Sequence, residues 1–216
     1  MHSYCFRTEK IIKKMKKLFA ITLLFIIGNV FGQTTLDTIP TKKRIILLDA
    51  GHGGTDTGVK EDGFEEKNIV LKIAKVIKDE NPFDDIEFVL LRQNDEQIIN
   101  TNRANMINEI KPDLVLSIHA NYNVKNTKKG TEVHISPMNP HFEESKKLGE
   151  IIESNITALG LENLGIIETN SKILRDSKVP IIMLEIGYLT NNDDRKFLIN
   201  ENNYPKIAQK IYQSLK

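Results

Sequence analysis

From Arg44 onward the apolar residues of this chain fall into short unbroken runs that alternate with helical stripes. Ile45-Ile46-Leu47-Leu48 is continuous and ends in Asp49 and a glycine-rich turn, the pattern of a strand buried on both faces. Val70, Ile73, Ala74 and Ile77 recur at helical spacing, which predicts an amphipathic helix from residue 66 to about 80. The pattern then predicts a strand over 86–91, a helix over 98–110 stopped by Pro112, and strands over 114–118 and 131–136. A helix over 142–159 carries Leu148, Ile151, Ile152 and Ile156 on one stripe, and a strand over 179–186 and a closing helix over 204–215 complete the order. Alternating strands and helices imply an α/β fold: a single three-layer αβα domain over 44–216, its largely parallel twisted sheet covered by helices on both faces.

The first 32 residues follow another logic. Lys16-Lys17 precede an uncharged apolar run over 18–27, and Val30-Phe31-Gly32 supply modest side chains where a signal peptidase reads. This is the layout of a secretory signal over 1–32, and the run is too short for a comfortable membrane span. Met15-Lys16-Lys17 would open such a signal by itself, so Met15 is an alternative start. Residues 33–43 read as a linker. The expectation is an exported protein, periplasmic or associated with the cell envelope, with no stable membrane span after cleavage.

Charge and cysteine narrow the chemistry. With 30 Lys and Arg against 29 Asp and Glu, no basic excess advertises a nucleic-acid partner. The expected leader holds six of those bases and one acid, so 24 bases face 28 acids in the remainder, a net of −4. The one cysteine, Cys5, lies in the leader, which excludes an internal disulfide and a cysteine-based zinc site.

Ligands of such sheets bind beyond the carboxyl ends of the strands. Here the first strand runs into Asp49-Ala50-Gly51-His52-Gly53-Gly54, the third into His119-Ala120-Asn121, and the last reaches Glu185 before Gly187. Two imidazoles and a carboxylate from the start of the first helix, Glu65 or Glu66, form a ligand set suited to one zinc ion with a position left for water. Glu185 follows Ile181-Ile182-Met183-Leu184, and an acid buried there is costly unless it is paired or functional.

Four separated motifs in order resemble the zinc-dependent N-acetylmuramoyl-L-alanine amidases: the run 49–54, Glu66-Lys67-Asn68, Ser117-Ile118-His119-Ala120-Asn121, and Leu184-Glu185-Ile186-Gly187-Tyr188-Leu189-Thr190-Asn191. Arg92 with Asp95, and Arg103 with Ala104-Asn105, are similar to the middle segment of that family. The resemblance implies His52, Glu66 and His119 as ligands of one Zn2+, with Glu185 as catalytic acid/base and Asn121 and Arg175 as substrate contacts. It implies a peptidoglycan substrate, cleaved at the amide between N-acetylmuramic acid and the L-alanine of the stem peptide. Other readings are a catalytically silent wall-binding or regulatory module and a zinc hydrolase of another amide. Division-associated relatives carry a helix that plugs the zinc site until an activator moves it. Residues 137–164 hold little beyond one ordinary helix, so the expectation is an unplugged enzyme; a protein activator is not identifiable from the sequence. His134 is expected to be structural, and His141 and the lysines of 125–129 to be solvated.

Overall fold

Strand β1 (Arg44–Ala50) opens a central sheet of six strands. A two-stranded hairpin, β2 (Lys60–Glu61) and β3 (Phe64–Glu65), leads into helix α1 (Glu66–Asp79). Strand β4 (Ile86–Leu90), helix α2 (Asn100–Ile110), strands β5 (Leu114–Asn121) and β6 (Thr131–Ile135) and helix α3 (Phe142–Thr157) follow. Strand β7 (Asn163–Glu168), the short helix α4 (Lys172–Asp176), strand β8 (Ile181–Tyr188), helix α5 (Asn192–Ile199), a 3-10 turn (Glu201–Asn203) and helix α6 (Tyr204–Ser214) close the chain. The computed structural model describes residues 42–216 together with 13–15. The expected leader and linker therefore lie almost wholly outside the described residues. Lys42–Lys216 form one compact unit, and no helix among the described residues is long and apolar enough to cross a membrane.

The sheet order is β4-β1-β5-β8-β6-β7. Every neighbouring pair is parallel except β6 with β8, which is antiparallel. Alternation along the strands creates two unequal faces. Ile46, Leu48, Leu116, Ile118, Leu184 and Ile186 point to one face, where they pack with Val70, Ile73 and Ile77 of α1, Ile152 and Ile156 of α3, and Ile207 and Ile211 of α6. The other face is thinner: Leu47, Val115 and Ile181 pack with Ile107 of α2 and with Ile173 and Leu174 of α4. The α/β fold with helices on both faces thus stands as the sequence pattern implies.

On the thinner face the apolar positions give out toward the carboxyl ends of the strands. Val115 is followed two residues on by Ser117 and then His119; Ile181 is followed by Met183 and then Glu185. On β6 the buried Val133 and Ile135 belong to the thick core, which leaves Glu132 and His134 on the opposite face. The sheet itself therefore gathers polar side chains at one end of one face.

Several boundaries differ from the expectation. Strand β5 continues through His119 to Asn121, and β8 through Glu185 to Tyr188, because the two strands stay paired past a register shift between His119 and Asn121. His119 thus lies on its strand and not after it, Glu185 lies on its strand as expected, and His52 follows the end of β1. The hairpin, β7, α4 and α5 carry no apolar signature strong enough to have been predicted. Strand β7 is a half-exposed edge strand interrupted by Gly165 at φ 87°, and α5 is largely polar, with the Asn191 side chain accepting from the Asp193 and Asp194 amides at its start.

Candidate metal centre

Three pieces of chain converge on Glu66. Glu65 is the last residue of β3 and Glu66 the first of α1, so their side chains diverge: Glu65 accepts from Lys60 Nζ at 3.0 Å and Asn68 Nδ2 at 3.2 Å, while Glu66 turns inward. The Glu66 amide donates to the Val59 carbonyl at 2.9 Å and the Lys67 amide to the Thr57 carbonyl at 3.2 Å, which ties the first turn of α1 to the preceding loop. The Glu66 carboxylate is 2% exposed and meets His119 Nδ1 at 2.9 Å on one oxygen and His52 Nε2 at 3.1 Å on the other. Its two oxygens also accept from the Ala120 and Val59 amides, both at 3.0 Å.

His52 sits in the left-handed region, at φ 59°, a conformation that costs free energy for a non-glycine residue. Arg103 holds it there: the guanidinium donates to the His52 carbonyl, to the Ala50 carbonyl at 3.0 Å and to the Asp49 carboxylate, which also accepts from Ser117 Oγ at 2.7 Å. The buried Arg92 donates to the Ala50, Gly51 and Lys67 carbonyls, each at 2.8 Å, and so binds the turn to α1. Glycine is required at position 51, where a Cβ would collide with the His119 ring. The two imidazoles stand edge to face at 5.1 Å.

One donor atom from each of His52, Glu66 and His119 lies within 4.8 Å of the others. Two imidazoles and a carboxylate fit a divalent cation of the zinc type. Asp56 accepts at 2.9 Å on His52 Nδ1, leaving Nε2 to face Glu66, the arrangement by which an outer carboxylate orients a histidine ligand. Glu185 is the direct partner of His119 across β5 and β8, and its Oε2 is buried without a hydrogen-bond partner among the described residues. A buried orphan oxygen is costly in a purely structural role and is what an acid/base awaiting a substrate proton would present.

The triad stands between two cavities that share His52, His119 and Met183. A cleft of about 600 Å³ is lined by Glu66, Asn121, Tyr122, Glu185 and Thr190 among others, and a smaller one of about 260 Å³ by Asp49, Gln97, Ile99, Asn100 and Arg103. Asn121, a sequence candidate, lines the larger cleft. Arg175 lines neither; its guanidinium is engaged by Asp176 at 2.8 Å and Asn170 at 3.0 Å. Sequence reasoning overlooked Asp56 and Glu132, lone acids with no apolar run beside them to mark them as buried or oriented. His134 accompanies Glu132 at 2.8 Å, and His141 faces Glu144 at 3.4 Å near the surface.

Burial and mutual charge set the proton affinities. Burial would raise Glu66, but hydrogen bonds from the two histidines hold it well below the usual carboxylate range. Burial would lower His119, yet the Glu66 carboxylate overcomes this and lifts it to about 9; His52 is raised as well. Burial pushes Glu185 up to about 7. Compared with usual values of 4.5 and 6.5, the native chain thus holds extra protons on Glu185 from pH 4.5 to 7 and on His119 from 6.5 to 9. Stability then falls as pH rises across both windows. Thermal unfolding of chelator-treated protein is expected to show a Tm decreasing from pH 5 to 9; a flat or rising Tm would contradict these environments.

Comparison with known proteins points one way. The family model described as N-acetylmuramoyl-L-alanine amidase matches residues 46–216. N-acetylmuramoyl-L-alanine amidase LytC of Bacillus subtilis is 31% identical over 192 residues, covering 87% of this chain and 38% of LytC. The probable cell wall amidase LytH of Staphylococcus aureus is 27% identical over 87% of this chain and 62% of its own length. The chain thus spans well under two thirds of LytC and slightly under two thirds of LytH. Among solved structures, an N-acetylmuramoyl-L-alanine amidase from Clostridium difficile 630 superimposes with a TM-score of 0.76 at 31% identity, covering 81% of this chain and 95% of that one.

Proposed function

The chain belongs to the N-acetylmuramoyl-L-alanine amidase family, and from that premise we propose that it is an exported, zinc-dependent peptidoglycan hydrolase. The bond cleaved in this reading is the amide joining N-acetylmuramic acid to the L-alanine of the stem peptide. The observation that carries it is the convergence of His52, Glu66 and His119 within 4.8 Å, with Glu185 the register partner of His119. His52, Glu66 and His119 would hold a divalent cation, which when bound would supply Lewis-acid polarisation of the scissile carbonyl and a water with its pKa lowered toward about 7.

The chain's own groups do the rest. Glu185, with a proton affinity near neutrality, takes a proton from the attacking water as the new C–O bond forms. It returns that proton to the amide nitrogen as the C–N bond breaks, leaving an acid on the muramoyl side and a free amine on L-alanine. Asn121 stands at the rim of the same cleft, placed to contact substrate. Asp56 and Arg103 fix His52, and Glu66 is fixed by two backbone amides, so the donors are held before substrate arrives. The presence of all four residues speaks against a silent wall-binding module.

Helix α3, which lies between β6 and β7, packs on β6 and α6 as part of the thick face. It does not line the larger cleft, which supports activity without an activator. Purified zinc-loaded protein added to isolated cell wall is expected to release peptides with an L-alanine N-terminus, read by mass spectrometry, with no added partner. Strict dependence on a second protein would refute the unplugged reading. Shortened peptides or released acetate would move the activity to another amide. Export rests on residues 16–32, and N-terminal sequencing of envelope-localised protein tests it.

A further inference from the structure

Glu132 is a buried acid that neither the metal set nor the proton-transfer step uses. Its place follows from register: Glu132 on β6 is the partner of Glu185 on β8, which is the partner of His119 on β5. Paired positions on neighbouring strands project to the same face, so ligand, acid/base and Glu132 form one row across three strands. The Glu132 Oε1 atom accepts from Asn121 Nδ2 at 2.6 Å and meets His134 Nε2 at 2.8 Å. Asn121 is held at its other end as well, its Oδ1 accepting from the Tyr122 amide at 2.7 Å. A side-chain amide gripped at both ends has one orientation, and its second N–H and remaining lone pair are left for whatever enters the cleft.

We propose that Glu132 is a positioning residue for the amidase reaction: buttressed by His134, it fixes the Asn121 carboxamide at the cleft wall beside Glu185, in the orientation that receives the substrate. This rests on the amidase reading, with Asn121 as a substrate contact. Burial of Glu132 is otherwise hard to account for, because a carboxylate only 6% exposed is costly unless its partners serve a purpose. The groups that meet it are polar side chains, Asn121 at the cleft wall, His134 and the buried Tyr188 hydroxyl, not a backbone segment in need of bracing. Its role is geometric, exerted through Asn121, and it touches no reacting atom.

The test is a mutant cycle on cell wall with zinc-loaded protein. Glu132→Leu is expected to lower kcat/KM about tenfold or more, with full zinc content. Glu132→Gln keeps an oxygen that can accept from Asn121 and should restore most of that loss. The decisive reading is Asn121→Ala combined with Glu132→Leu: if Glu132 acts through Asn121, the double variant is no slower than the slower single variant. Additive losses, an unimpaired Glu132→Leu, or failure of Glu132→Gln to restore activity would each overturn the proposal. If Glu132→Leu does not fold, Glu132→Asp carries the test: the shorter carboxylate withdraws from Asn121, so it should slow turnover and add no further loss to Asn121→Ala, and an unimpaired Glu132→Asp or an additive loss would overturn the proposal. Inactivity of the wild-type protein on wall would instead defeat the amidase reading itself, so the two failures are distinguishable.

Discussion

Glu185→Gln should bind as much metal as the unaltered chain and turn over cell wall about a thousandfold more slowly, the usual cost of removing a general acid/base. The amide is nearly isosteric and can still donate and accept, but it cannot take and return a proton. Because Glu185 Oε2 is buried without a partner, the substitution removes a desolvated acid without orphaning another group. Its thermal stability above pH 7 should therefore match or exceed that of the wild type. Turnover on purified wall, elemental analysis and a melting curve decide the matter together. Activity within tenfold of wild type would remove Glu185 from the chemistry, and loss of metal would make it a ligand instead.

The second large effect is expected at the donors. His52→Ala or His119→Ala should reduce bound zinc from about one ion per chain to a small fraction of that, with turnover falling in proportion to the lost metal. Two ligands are left in each case, and Glu65, the carboxylate next to Glu66 in the chain, points away to Lys60 and supplies no third donor. Supplementing the assay with excess zinc should restore part of the activity if binding is weakened and the fold is intact. A His119→Ala protein that keeps stoichiometric zinc would show that the ion sits elsewhere.

Much of this architecture was legible because apolar burial leaves a period in the sequence. The runs at 45–48 and 181–184 and the stripe from Val70 to Ile77 are imposed by a sheet covered on both faces. The elements that escaped are those with little to bury. Strand β7 lies at an edge, half exposed, and the hairpin at 60–65 contributes backbone pairing and no core. The candidate site was legible where a glycine-rich turn or a strand end flagged it, as at His52, His119 and Glu185. Choosing Glu66 over Glu65 needed more than local pattern, because the two differ only in which side of a strand-to-helix junction they occupy. Glu132 needed register: nothing near it along the chain reveals that an antiparallel neighbour sets it beside Glu185, 53 positions away. Arg175, on the five-residue α4, spends its guanidinium on Asp176 and Asn170.

The row running from His119 through Glu185 to Glu132 is spaced by main-chain hydrogen bonding, so its pitch is that of adjacent strands, roughly 4.8 Å per step. Side-chain packing sets neither interval. Mutational drift in the segments bordering the cleft, such as Tyr122 or Thr190, can therefore reshape what is admitted without detuning the reactive centre. A scaffold built this way separates recognition from chemistry, and directed changes of substrate preference should begin at those rims and leave β5, β6 and β8 untouched.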